Sequence, residues 1–188
     1  LTIFRPTDGL DEGPVILQKH CTIEADETLG EVYFNKLFPM GVQALLEAAD
    51  LVVAARHTET AQDESQASYE GWFKAEEARI HWGRHVDQVY NLIRASNPAP
   101  GAWCEMHDAQ GRVMKVFFYE CRKHMARTFG AVRGKPGDIV EIGAQSIFIA
   151  AQGGEIEVLR VKAIINGVSG KKMDAATFAR ENGLRAAC

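Results

Sequence analysis

Apolar and polar residues alternate in two short stretches near the start of the chain, a pattern typical of β-strands. The stretches lie at residues 1–5 and 15–19, and turn-forming residues fill the segment between them. Thr28 and Glu31 have the spacing of a capping box, in which each side chain bonds the backbone N–H of the other residue. This spacing predicts a helix that begins at Thr28 and runs toward Leu37.

A second helix is expected to follow, because Pro39 interrupts the first one and is well tolerated in a first helical turn. Within it, apolar residues recur at positions i, i+3, i+4 and i+7, namely Leu45, Ala48, Ala49 and Val52. This spacing places them on one side of a helix. We therefore predict that this face packs in a core and does not bind a cofactor.

The chain becomes polar and loses its periodicity between residues 56 and 68. Segments of this kind commonly connect domains. We therefore predict a linker at residues 57–71, which joins a first domain at 1–56 to a second domain at 72–188.

The second predicted domain begins with one short amphipathic helix, whose apolar residues are Val86, Val89, Tyr90 and Ile93. Five short strands are expected after it, at residues 102–107, 113–120, 139–142, 147–150 and 156–161. Strands of this length and spacing are typical of a small β-barrel. A last helix is expected from about Ala175, with Asp174 as its N-cap and Gly183 near its C-terminal end.

The composition is that of a soluble globular protein, with 46% hydrophobic and 24% charged residues among 188. No apolar run approaches about 20 residues, so we expect neither a transmembrane helix nor a membrane partner. The four cysteines are widely spaced, which favours reduced thiols in the cytoplasm over a disulfide framework or a metal site. Because the sequence opens on a predicted strand without Met or a signal peptide, we expect its N-terminus to be truncated.

Charge is unevenly distributed along the chain. Residues 1–60 carry four basic and ten acidic side chains, whereas a basic stretch lies in the second half. The basic stretch consists of Arg112, Lys115, Arg122, Lys123, Arg127, Arg133 and Lys135. Interleaved aromatic residues are compatible with binding to a nucleic-acid backbone. The alternative is a solvated face whose charges are offset by acids from elsewhere in the fold.

Two groups of residues are candidates for chemistry on their spacing alone. Asp11, in an acidic glycine-rich loop between two predicted strands, could relay a proton, or it could only shape the turn. His81 and His85 have the i, i+4 spacing of metal ligands on a helix, but a packing or surface role is favoured because no third ligand is evident. Motifs of P-loops, dinucleotide-binding folds, serine hydrolases and zincins do not occur in the sequence.

Five segments resemble, in the same order, signature segments of the 10-formyltetrahydrofolate-dependent formyltransferases. They are GLDEG at residues 9–13, QDE at 62–64, EARIHW at 77–82, NPAPGAW at 97–103 and GKKM at 170–173. Glu12 stands where this family has Thr, and His81 stands where it has Asp. The similarity extends over nearly the whole chain, and its strength lies in the ordered set of segments.

The resemblance implies an α/β plus β architecture, in which the end of a Rossmann-like catalytic domain is followed by an OB-like β-barrel. It also implies that Asp11 is the catalytic carboxylate and that Asp8, Gly9 and Leu10 lie near 10-formyltetrahydrofolate, with no metal required. In this family the Asp acts with an Asn and a His that would precede Leu1. We therefore expect residues 1–188 alone to be inactive, with an exposed apolar face in the first domain and a more stable second domain.

The resemblance leaves the formyl acceptor open. The first interpretation is the amino group of methionyl-tRNA in translation initiation, with the basic stretch holding the initiator tRNA. The alternatives are water, as in the hydrolase and dehydrogenase branch, to which residues 37–41 and 69–71 are also similar, and an amino sugar nucleotide. A non-enzymatic alternative is an OB-like module that binds nucleic acid.

Overall fold

The computed structural model describes residues 1–126 and 132–187. The chain divides into two compact units, Leu1–Trp72 and Phe73–Cys188. The boundary lies within two residues of the C-terminal end predicted for the linker, although the role of residues 57–71 as a linker stays a prediction. No helix in the described part of the chain is long and apolar enough to span a bilayer.

The first unit contains two strands and a long helical segment. Its elements are β1 (Thr2–Phe4), β2 (Val15–Gln18), α1 (Leu29–Val32), a π-helical turn (Tyr33–Leu37), α2 (Phe38–Val53) and a 3₁₀ turn (Glu64–Gln66). The two strands pair antiparallel, and no parallel sheet forms within residues 1–72. This unit is therefore mixed α/β, and a Rossmann-like sheet stays a prediction.

The capping box at the start of α1 is confirmed. The Glu31 backbone N–H donates to Thr28 Oγ1 at 3.3 Å, and the Thr28 backbone N–H donates to Glu31 Oε2 at 2.8 Å. A second helix also begins where predicted, with Pro39 in its first turn. The chain does not break there, because Leu37 and Phe38 both keep right-handed helical backbone angles across the π-helical turn.

Of the apolar face predicted for α2, Ala48 is confirmed as buried, and the prediction is wrong for Leu45, Ala49 and Val52. Leu45 is 60% exposed and Val52 is 39% exposed, whereas the buried residues of this helix are Ala44 and Ala48. Large apolar side chains remain exposed along the whole helical segment, namely Tyr33, Phe34, Phe38, Val42, Leu45, Leu46, Val52 and Val53. The expectation of an exposed apolar face in this part of the chain is therefore confirmed.

The second unit contains nine strands and two helices among its described residues. The strands are β3 (Ala102–His107), β4 (Val113–Phe118), β5 (Cys121–Met125), β6 (Ile139–Ile142), β7 (Ile147–Ala151), β8 (Gly154–Val158), β9 (Arg160–Ile165), β10 (Val168–Ser169) and β11 (Met173–Asp174). The helices are α3 (Val86–Ala95) and α4 (Ala175–Glu181). The four apolar residues predicted for α3 are all buried, and Asp174 caps α4 by accepting the Thr177 backbone N–H at 2.9 Å.

Two antiparallel sheets form the body of this unit. One has the strand order β10-β9-β4-β3, with β11 also on β9, and the other has the order β5-β8-β7-β6. Both contribute to one hydrophobic core, in which Phe118, Met114 and Ile149 are fully buried. The sheets do not close into a barrel among the described residues, so the barrel is not confirmed.

The strand predicted at 156–161 is two strands. β8 pairs with β5 and β7, whereas β9 pairs with β4, so the chain passes from one sheet to the other at Leu159. The Leu159 backbone N–H donates to the Glu120 carbonyl at 2.9 Å at this crossing. Ile156, Val158 and Val161 are all buried in the same core, so a run of strand-forming residues conceals the change of partner strand.

Candidate active site

Asp11 lies in the loop that connects β1 to β2, and its backbone has a left-handed conformation with φ of 52°. Aspartate is one of the few residues with a side chain that adopt this conformation readily. The side chain is exposed, and its carboxylate accepts no hydrogen bond from the described residues. The structure thus leaves this carboxylate available to a ligand.

The base of the loop is held by close contacts of the backbone. The Arg5 N–H donates to the Pro14 carbonyl at 3.0 Å. Gly13 is buried, and a Cβ atom at this position would lie 1.7 Å from the Arg5 carbonyl oxygen. Only a glycine therefore permits this approach of the two chain segments.

Gln62 holds the other side of the loop. Its Nε2 atom donates to the Asp11 carbonyl at 2.8 Å and to the Gly13 carbonyl at 2.7 Å. A two-way backbone pairing of Val15 with Thr60, at 2.8 and 2.9 Å, brings Gln62 alongside Gly13. The sequence analysis placed Gln62 in the predicted linker. The similarity of residues 62–64 to a signature segment of the formyltransferases was the one signal of a further role.

A cleft of about 510 Å³ lies beside Asp11, within the first unit. Its lining consists of Leu10, Asp11, Glu12, Val15, Gln18, Gln62, Asp63, Glu64, Gln66, Ala67 and Ser68. Hydrogen bonds from the Ser65 hydroxyl, the Gln66 amide and the Ser65 backbone lower the pKa of Asp63. Four carboxylates line the cleft, so it presents negative charge around Asp11.

The three residues predicted to lie near folate differ in their relation to the cleft. Leu10 lines the cleft and is 75% exposed, whereas Asp8 and Gly9 do not form part of the lining. The Glu12 carboxyl group folds over Gly9, where it lies about 2.1 Å from the position of a Cβ atom, and it accepts a hydrogen bond from Thr7 at 3.3 Å. Glu12 thereby occupies the space beside Gly9.

Four side chains of the basic stretch form ion pairs within the second unit. The pairs are Arg112 with Asp108, Arg122 with Glu157, Lys123 with Asp87, and Arg133 with both Glu141 and Glu155. Hydrogen bonds from Arg133 lower the pKa of Glu155, and those to Glu155 and Glu141 raise the pKa of Arg133. The charges of these four side chains are offset by acids, as in the second interpretation of the basic stretch.

The remaining three residues of the basic stretch behave differently. Lys115 Nζ lies 3.7 Å from the ring centroid of Trp103, a cation–π contact. The Lys135 backbone N–H donates to Asp138 at 2.8 Å and shapes a turn. Arg127 lies outside the described residues.

Within the described residues, His81 and His85 do not come together as a pair of metal ligands on one helix. His85 is the N-cap of α3, with Nδ1 accepting the Asp87 N–H at 3.3 Å, and His81 lies in a turn before the helix, so the two do not share a helical face. No group of three potential ligands for a metal converges among residues 1–126 and 132–187. Burial raises the pKa of the Cys104 thiol to about 11, which keeps it protonated at neutral pH.

A loop carboxylate beside a cleft and, later in the chain, a unit with two antiparallel sheets define a mixed α/β protein with Asp11 as a candidate catalytic acid. Residues 73–183 match the model of the formyl transferase C-terminal domain. The chain therefore belongs to the formyltransferase family.

Two curated relatives differ in how much of this chain they match. Methionyl-tRNA formyltransferase of Rubrobacter xylanophilus is 29% identical over 187 residues, which cover 100% of this chain and 57% of that protein. Mitochondrial 10-formyltetrahydrofolate dehydrogenase of Homo sapiens is 38% identical over 106 residues, which cover 56% of this chain and 12% of that protein. The chain thus spans little more than half of the first relative and about an eighth of the second.

Two solved structures share the fold. HypX from Aquifex aeolicus, in complex with tetrahydrofolic acid, matches 96% of this chain and 29% of its own chain, with a TM-score of 0.70 and 19% identity. An N-formyltransferase from Helicobacter canadensis matches 84% of this chain and 54% of its own, with a TM-score of 0.57 and 16% identity.

Proposed function

We propose that this chain is part of an enzyme that transfers the formyl group of 10-formyltetrahydrofolate, and that Asp11 is its catalytic carboxylate. The observation that carries the proposal is the placement of Asp11: its carboxylate is exposed at a cleft, while its backbone is held by Gln62 and by the packing at Gly13. Fixed backbone beside a free carboxylate is the arrangement that a proton-transferring group requires.

The chemistry follows from the acid–base needs of formyl transfer. A nucleophile that attacks the formyl carbon loses a proton, and an ionised carboxylate within hydrogen-bond reach accepts it or relays it to N10 of the folate. The bond between N10 and the formyl carbon then breaks, and tetrahydrofolate leaves. The oxyanion that forms on the formyl oxygen needs hydrogen-bond donors. The resemblance implies an Asn and a His as partners of Asp11 in this step.

Folate is the proposed co-substrate. Leu10 offers an exposed apolar side chain next to Asp11, suited to the flat ring of a pterin, and Asp8 and Gly9 precede it in the same loop. The fold shared with a structure that holds tetrahydrofolic acid supports this assignment. As part of this proposal, residues 1–56 belong to a Rossmann-like domain and residues 72–188 to an OB-like one.

Two acceptors have specific support. Similarity over the whole chain to a methionyl-tRNA formyltransferase favours the amino group of methionyl-tRNA, with the basic stretch near the initiator tRNA. Ion pairs with acids offset the charge of four basic side chains in that stretch. These pairs favour water as the acceptor, because a phosphate backbone is bound by basic side chains whose charge is free to replace counterions. An amino sugar nucleotide is a third candidate, supported by a shared fold alone.

One assay tests the function and separates the acceptors. The full gene product is mixed with 10-formyltetrahydrofolate in water alone, with methionyl-tRNA or with an amino sugar nucleotide, and tetrahydrofolate release is followed. We expect Asp11→Asn to slow the reaction by roughly 100-fold or more. Asp50→Asn, an exposed change on α2, is the control. A wild-type rate for Asp11→Asn would contradict the proposal, and release without added acceptor would assign water.

A further inference from the structure

Gln62 differs from the other glutamines that line the cleft in what its amide binds. Both hydrogen bonds of Gln62 Nε2 go to backbone carbonyls of the loop, at Asp11 and Gly13. Gln18 donates instead to the Thr2 hydroxyl at 3.1 Å, and Gln66 donates to the Asp63 carboxylate at 2.6 Å. Among these three, Gln62 is the one whose donors reach the backbone of the candidate catalytic residue.

The two carbonyls that Gln62 binds lie on either side of Glu12, so one nitrogen fixes the direction of two peptide planes. The plane that follows Asp11 depends on the backbone torsions of that residue, which are in the left-handed region at φ 52°. A side chain leaves the backbone in a direction set by the same torsions. A return of Asp11 to the right-handed region would therefore swing its carboxylate away from its present position.

Gln62 is itself exposed, so burial does not force its amide to find these partners. The backbone pairing of Thr60 with Val15 sets the position of Gln62. In an antiparallel pair, Gln62, two residues after Thr60, comes opposite Gly13, two residues before Val15. The segment after β2 and α2 is thus returned to the loop by backbone hydrogen bonds.

We propose that Gln62 is a positioning residue, whose two amide hydrogen bonds hold the Asp11 backbone in the left-handed conformation that presents the carboxylate to the cleft. The inference rests on the proposed role of Asp11. Both hydrogen bonds of the Gln62 amide nitrogen go to carbonyls of the loop, so the proposal gives this nitrogen no contact with a reacting atom. Gln62 acts on catalysis through Asp11 alone.

Kinetics of the full gene product test this role with variants that separate shape from hydrogen bonding. Gln62→Ala and the isosteric Gln62→Glu both lose the donors, and we expect kcat to fall about 10- to 100-fold in each, as for a misplaced catalytic group. The KM for 10-formyltetrahydrofolate should change less than about threefold. Gln62→Lys restores an N–H donor group and should recover part of kcat. Gln43→Ala, at an exposed glutamine of α2 outside the lining of the cleft, is the control and should keep the wild-type kcat.

Two further measurements distinguish positioning from a general loss of structure. The double variant Asp11→Asn with Gln62→Ala should be no slower than Asp11→Asn alone, because Gln62 acts through the missing carboxylate. In NMR spectra of the chain, the carbonyl carbons of Asp11 and Gly13 should shift in Gln62→Ala and not in Gln43→Ala.

The outcomes are separable. Wild-type kcat in Gln62→Ala, or a raised KM with unchanged kcat, would overturn the positioning role while leaving the catalytic role of Asp11 intact. Equal loss in Gln62→Lys and Gln62→Glu would also overturn it. A wild-type rate in Asp11→Asn would overturn the proposed function itself.

Discussion

A left-handed backbone costs an ordinary residue roughly 1–2 kcal/mol, and the cost is smallest for glycine, aspartate and asparagine. At Asp11 the cost is offset by hydrogen bonds to the carbonyls of Asp11 and Gly13 and by the contact of Gly13 with Arg5. Backbone held away from its preferred region is common where a side chain has to be presented to a ligand. The loop therefore combines one mildly strained acidic residue with rigid neighbours.

Gly13 is expected to be the position in this loop that tolerates substitution least. Gly13→Ala would place Cβ 1.7 Å from the Arg5 carbonyl, so the two segments must move apart, and we expect a loss of about 1–3 kcal/mol in the free energy of unfolding. Gly71→Ala is the control in the same unit, because its nearest neighbour, Tyr69 Cε1, lies at 3.7 Å. Urea denaturation followed by circular dichroism measures both, and equal midpoints would show that the approach of Arg5 to Gly13 is relaxed in solution.

At the scale of elements, the sequence predicted a helix or strand correctly where a short pattern of neighbouring residues determines it. The capping box at Thr28 and the apolar face of α3 are confirmed because both depend on neighbours within one or two turns. β5 was missed, since four of its five residues are exposed and no alternation marks it. Gln62 was missed as part of the site because its partners are 49 and 51 positions away, a distance that no periodicity records.

The turn between β3 and β4 depends on one buried carboxylate. The Asp108 side chain accepts the backbone N–H groups of Gln110 and Arg112, at 2.9 and 2.8 Å, and pairs with the Arg112 guanidinium. Burial of the Asp108 side chain raises its pKa, but the hydrogen bonds from Arg112 and Gln110 outweigh burial, and the net pKa is lowered. The charged form is therefore the one that stabilises the turn.

Stability from Asp108 is expected to depend on pH with a definite sign. A carboxyl group with a lowered pKa in the folded state contributes above its unfolded pKa, about 3.9, and loses that contribution as pH falls through the folded value. Asp108→Asn should lower Tm at pH 7, and its difference from wild type should shrink as pH falls below about 4. Glu181→Gln, on the exposed end of α4, is the control. A difference that stays constant with pH would contradict the role of the charge.

At the scale of the whole molecule, the two units differ in how much apolar surface they bury. In residues 1–72, which the structure describes throughout, the buried hydrophobic side chains are Val32, Ala44 and Ala48. In the described part of the second unit, side chains from both sheets and both helices pack in one hydrophobic cluster, which includes Phe118, Ile149 and Phe178. Burial of apolar area is the main favourable term in folding, so the second unit has the larger source of stability.

This difference predicts unequal protection from hydrogen exchange in the 188-residue chain. Amides of β4 and β7 lie over the core of the second unit and should exchange only on global unfolding of that unit. Amides of α2 should exchange faster by orders of magnitude. Leu45, Leu46 and Val53 of this helix are exposed, so they contribute little packing that would stabilise it. Mass spectrometry of peptides from each unit measures the two rates, with α3 as the helical reference, since its four apolar residues are buried. Protection of α2 equal to that of α3 would show that the exposed apolar face is covered in solution. If that protection also increased with protein concentration, a second copy of the chain would be identified as the cover.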